Sequence, residues 1–132
     1  MGKSSSILIG ERGANHVLIE PEPKVTATGH AASIGIRCGG FSAHYAGVFR
    51  AGELGKFGKD VGYLCENMKC TAALHAEDLL ELMLTSDGHG RVHISGSARE
   101  TPDTKTRLEF EFDMDLVELR TASHALIAAD RQ

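Results

Sequence analysis

Ala51-Gly52-Glu53-Leu54-Gly55-Lys56-Phe57-Gly58-Lys59-Asp60-Val61-Gly62-Tyr63-Leu64-Cys65-Glu66-Asn67-Met68 is the stretch on which the fold turns. Its apolar positions Leu54, Phe57, Val61, Leu64, Cys65 and Met68 are spaced three, four, three, one and three apart, the period of one helix face. The spacing predicts a helix over 51–68. Gly52, Gly55, Gly58 and Gly62 are expected on its outer side, and each costs up to about 1 kcal/mol of helix propensity relative to Ala. Packing rather than propensity must hold it.

On both sides of this helix the period changes to two. Upstream, residues 6–9 and 15–20 are short β-branched runs separated by Gly10, Arg12 and Gly13, the pattern of a first hairpin. Glu20-Pro21-Glu22-Pro23 reads as a turn, and strands are expected over 24–28, 33–38 and 41–49. In the last, Phe41, Ala43, Tyr45, Gly47 and Phe49 share one parity, with Ser42 and His44 on the other. Downstream, strands are expected over 69–76 and 79–85, where Leu80, Leu82 and Leu84 face one way and Glu81, Met83 and Thr85 the other. Ser86-Asp87-Gly88-His89-Gly90 is a turn. It leads into 91–99, with Val92, Ile94, Gly96 and Ala98 inward. After a loop over 100–104, the strand over 105–114 turns Leu108, Phe110, Phe112 and Met114 inward and Arg107, Glu109, Glu111 and Asp113 outward.

If Arg99 closes this hairpin opposite Lys105, Ile94 meets Phe110 and Val92 meets Phe112 inside. His93 then meets Glu111 and Arg91 meets Asp113 outside. Residues 116–129 return to helical spacing at Leu116, Leu119, Ser123, Leu126 and Ile127. The expected fold class is α+β, an antiparallel β-sheet with one central helix and a C-terminal helix packed on one face.

The 132 residues hold no repeat or linker, so one α+β domain over 1–132 is expected. Hydrophobic residues make up 42% but aromatics only 5%, with no Trp. The core is therefore aliphatic, with the five Phe and two Tyr expected at one sheet-on-helix interface. The net charge of -4 leaves no basic footprint for nucleic acid or an anionic membrane. Cys38, Cys65 and Cys70 form no C-x-x-C pair, as in a reduced, cytoplasmic chain. No apolar run approaches the length that spans a bilayer.

Motifs for chemistry are missing. His89 and His93 are four apart but straddle a turn and a strand, where such spacing does not converge. His16, His30, His44, His75 and His124 are scattered without carboxylates at ligand spacing. Ser95 lacks the leading glycine of a G-x-S-x-G elbow and sits mid-strand. Cys65 lies on an apolar helix face and Cys70 opens a strand, while Cys38 precedes Gly39-Gly40. Gly2-Lys3-Ser4 has no strand before it to make a phosphate loop. Met1-Gly2 with Ser6 fits the myristoylation pattern without a supporting basic cluster. No catalytic residue, cofactor or metal ligand is assigned. What remains is the sheet face carrying Arg91, His93, Arg107, Glu109, Glu111 and Asp113. Such a face is either a solvated, charge-balanced surface or a rigid platform for a partner, and its carboxylates would suit a basic one.

Leu84-Thr85-Ser86-Asp87-Gly88-His89-Gly90-Arg91-Val92-His93-Ile94-Ser95-Gly96-Ser97-Ala98-Arg99-Glu100, followed by Arg107-Leu108-Glu109-Phe110-Glu111-Phe112, resembles the small bacterial family of WapI-like immunity proteins. In that family an L-T-x-D-G-x-G turn leads to a strand ending G-x-A-R, and the next strand reads R-L-x-F-x-F. The resemblance extends more loosely over residues 41–113. The family's D-Q-T-Y-L continuation is replaced here by Asp113-Met114-Asp115-Leu116-Val117-Glu118-Leu119. The resemblance implies a non-enzymatic protein that binds another protein, associated with contact-dependent toxins, and it carries no catalytic residues. Two other readings stand beside it. One is a small enzyme or ligand-binding domain whose pocket gathers dispersed residues such as His44, His93 and Glu111. The other is an oligomeric structural module that pairs with copies of itself.

Overall fold

The computed structural model describes residues 6–11, 14–22, 29–67, 71–77, 79–101 and 105–130. Among them the order is β1 (Ile7–Gly10), β2 (His16–Pro21), β3 (His30–Cys38), β4 (Phe41–Phe49), α1 (Glu53–Asn67), β5 (Thr71–Ala76), β6 (Leu80–Ser86), β7 (Arg91–Ala98), β8 (Leu108–Asp115) and α2 (Leu116–Asp130). The α+β class, the antiparallel strands, the central helix and the C-terminal helix are as the sequence predicts. The strands divide, however, into two four-stranded antiparallel meanders, β1-β2-β3-β4 and β5-β6-β7-β8. α1 is the connection between them. The strand expected over 24–28 and Cys70 lie outside the described residues, and β2 continues through Pro21, which pairs with Ala32.

Alternation explains why each sheet has one buried face. Ile7, Ile9, Val17, Ile19, Ile34, Ile36 and Phe49 point inward from the first sheet, and Leu74, Leu80, Leu82, Leu84, Val92, Ile94 and Met114 from the second. These side chains join Leu54, Phe57, Val61 and Leu64 of α1 and Leu119 and Leu126 of α2 in one hydrophobic cluster. At about 25 cal/mol per Å² of apolar surface, burying such side chains is the main favourable term in folding. β4 meets β5 and β3 meets β8. Tyr45 fastens the sheets together by donating its hydroxyl to the Leu79 carbonyl at 2.8 Å.

The glycines of α1 are not on an outer face. Gly52 precedes the helix, Gly55 and Gly58 are buried, and Gly58 and Gly62 form the seam against α2. A Cβ at Gly58 would stand 2.9 Å from both Leu126 Cβ and Ile127 Cγ1, and one at Gly62 would stand 3.1 Å from Ser123 Oγ. The missing side chains let the two backbones approach, and Ser123 donates its hydroxyl across the seam to the Gly58 carbonyl at 2.7 Å. The propensity lost at these glycines is offset by helix-on-helix packing. The aromatic residues are also less concentrated than expected: Phe41 and Tyr63 stand in solvent.

The β7–β8 register differs from the sequence expectation by two residues. Ala98 pairs with Leu108, Ile94 with Phe112, Val92 with Met114, His93 with Asp113 and Arg91 with Asp115. A shift of two keeps every side chain on its face, so the hydrophobic pattern cannot choose between the two pairings.

Candidate functional site

The outward side chains of the second sheet form three rows across the strands: Thr85, His93 and Asp113; Met83, Ser95 and Glu111; Glu81, Ser97 and Glu109. Arg91 opposite Asp115 begins a fourth, and Arg107 immediately precedes β8. All six residues singled out in the sequence, Arg91, His93, Arg107, Glu109, Glu111 and Asp113, are therefore brought to one exposed face.

Ion pairs organise it. Arg91 reaches Asp115 at 2.7 Å and Arg107 reaches Glu109 at 2.7 Å. His93 sits between two carboxylates, with Nδ1 2.8 Å from Asp113 Oδ1 and Nε2 3.0 Å from Glu111 Oε1. The directly opposed partner is thus Asp113, and the expected pairing with Glu111 survives as a diagonal contact. Both ring nitrogens face acceptors, an arrangement that needs the imidazolium form. The hydrogen bond to Asp113 and the charges of both carboxylates hold the His93 pKa above its ordinary value. These pairs are half exposed, so solvent screening leaves each of them little weight in stability. The face is acidic on balance, with Glu81, Glu109, Glu111, Asp113 and Asp115 against Arg91, Arg107 and His93.

The turn before β7 is built by Asp87. Its Oδ1 accepts the His89 and Arg91 amides at 2.6 and 3.1 Å, which lowers its pKa. Gly88 and Gly90 take positive φ of 80° and 95°, and the Gly90 carbonyl accepts the Leu116 amide at 2.9 Å. The turn is thereby tied to the start of α2.

A groove of about 570 Å³ lies beside the acidic row, lined by Phe41, Met83, Glu81, Glu109 and Glu111 among others. Its cause is local: Ser95-Gly96-Ser97 of β7 places small side chains between the longer ones of β6 and β8. Phe41 comes from the other sheet. The hairpin tip 38–41 is held by the Gly39 amide on Asn15 Oδ1 at 2.9 Å and by Cys38 Sγ on the Glu111 carbonyl at 3.4 Å. It projects past the core, so the first inward position of β4 has no core to enter. Of these groove residues, Glu109 and Glu111 belong to the face read from the sequence and Glu81 and Met83 to outward positions of their strand, whereas Phe41 gave no sign of joining them. The Phe41 contribution depends on a contact between residues 73 apart.

The dispersed pocket does not assemble. His44 lines a second cavity of about 550 Å³ with Ser42, Arg99 and Arg107, which adjoins the groove at Phe41 but is not lined by His93 or Glu111. Among the described residues no group of three His, Cys, Asp or Glu side chains is arranged to hold a metal, and no helix is long and apolar enough to cross a membrane.

No protein-family model matches the sequence, and no curated protein sequence matches it either. Among solved structures, a chain of the CdiA-CT/CdiI toxin and immunity complex from Enterobacter cloacae is similar in fold, at 11% identity and a TM-score of 0.48. The match covers 94% of this chain and 98% of that one. At that level of likeness nothing of that complex's chemistry carries over to this chain.

Proposed function

We propose that this chain is a non-enzymatic, immunity-like protein that binds a basic protein partner through the outer face of its second sheet. The observation that carries this reading is the convergence of Arg91, His93, Arg107, Glu109, Glu111 and Asp113, together with Glu81 and Asp115, on one exposed surface whose five carboxylates outnumber the three cations Arg91, Arg107 and His93. Exposed ion pairs do little for folding, so stability gives no reason to keep so many carboxylates together. A rigid sheet with an excess of one sign of charge speeds the encounter with an opposite charge and disfavours like-charged proteins. The resemblance of residues 84–112 to WapI-like immunity proteins fits the same reading.

Where a large secreted protein is encoded beside this chain's gene, that protein is the first partner to test. Co-purification of the two, lost in the double variant E109K/E111K with an unchanged melting temperature, is the expected result. Retention of the complex by the double variant would remove the face assignment.

A further inference from the structure

We infer that the groove between Phe41 and Met83 receives an arginine side chain of the partner, so that the contact surface extends beyond the acidic row to residues of both sheets. The inference rests on the reading of the second sheet as the binding face.

The groove combines two features that favour this occupant. Its walls include two large apolar side chains left in water, Phe41 at 70% and Met83 at 48% exposure. Beside them stand Glu81, Glu109 and Glu111. Glu109 is already engaged by Arg107 and Glu111 by His93, whereas Glu81, which stands opposite His75 on β5, makes no ion pair among the described residues. A carboxylate without an ion-pair partner and an exposed aromatic ring on the walls of one groove complement a cation that tolerates contact with apolar surface. Guanidinium is that cation: it is planar, weakly hydrated, stacks on aromatic faces and forks onto carboxylates. A lysine ammonium keeps its water and makes a point contact, so the apolar walls add little to its binding. The Asn15 and Glu111 contacts of Gly39 and Cys38 tie the hairpin tip, so the backbone that carries Phe41 is placed before any partner arrives, which lowers the entropic cost of association.

The experiment is an amide-resolved NMR titration of the chain with blocked Gly-Arg-Gly and Gly-Lys-Gly peptides, repeated on F41A and on E81Q. Phe41 is exposed, so its removal leaves the fold intact. The arginine peptide is expected to shift the amides of Phe41, Met83, Ser95 and Ser97, and to bind about two- to fivefold more tightly than the lysine peptide. In F41A that preference is expected to vanish, and in E81Q both peptides are expected to weaken. Equal binding of the two peptides, or an unchanged arginine preference in F41A, would overturn the inference. Its failure is separable from failure of the face reading. An arginine peptide that shifts β7 and β8 but spares Phe41 and Met83 removes the groove alone, whereas survival of the partner complex in E109K/E111K removes the face.

Discussion

The outer faces of the two sheets have opposite characters on one architecture. Both sheets are four-stranded antiparallel meanders with aliphatic inner faces in a shared core. The first presents Leu8, Leu18, Ala31, Ser33, Ser42, His44, Ala46 and Val48 outward, with Glu20 and Arg37 balancing each other. The second presents five carboxylates, Glu81, Glu109, Glu111, Asp113 and Asp115, with fewer cations. Folding demands only the inner faces, since the first sheet forms without a charged exterior. What distinguishes the second exterior is a property of the surface, and the proposed binding role would account for it.

Substitutions should separate the two halves of this comparison. The largest effect is expected where the sheets are alike: Ile34→Ala and Ile94→Ala each empty a fully buried position and should each cost about 2–5 kcal/mol in denaturant unfolding. A much smaller loss at one of them would mean that the sheets do not share the core equally. Next comes the helix seam. Gly58→Val places carbon against Leu126 and Ile127 and should destabilise by about 1–3 kcal/mol, whereas a valine tolerated without loss would return the glycines to an outer face.

The outer faces should respond differently. E109K/E111K is expected to leave stability within about 1 kcal/mol, as surface changes do. The smallest effect belongs to His93. Its pKa is raised in the folded chain, so the imidazolium's contribution is complete below the pKa of the unfolded chain and is lost as pH climbs through the raised folded value. Half-exposed, it amounts to less than about 1 kcal/mol. H93Q should flatten that part of the stability-against-pH curve, and an identical curve in the variant would remove the two-carboxylate clasp.

The same contrast shows what was legible in the sequence. The faces of β6, β7 and β8 could be read from Leu80, Leu82, Leu84, Val92, Ile94, Phe110 and Phe112 because burial imposes a period of two. The register of β7 on β8 could not, because pairing His93 with Glu111 or with Asp113 satisfies charge and burial alike. The division into two sheets was hidden for a related reason: alternation states which face is buried and not which strands are neighbours. The glycine seam was misread because the spacing of Gly55, Gly58 and Gly62 fits an outer face as well as a close helix contact until α2 is placed. Of the site, the acidic row was legible as local pattern, while the groove needed the Cys38–Glu111 contact that brings Phe41 to the second sheet.

The central claim is that the second sheet's exterior, and not the first's, meets the partner. Calorimetric titration of the partner domain into E109K/E111K and into A31K/A46K tests it most directly, since each pair adds positive charge to one exterior and leaves the shared core untouched. Binding should be lost in the first variant and kept in the second. The reverse result, or equal loss in both, would contradict it.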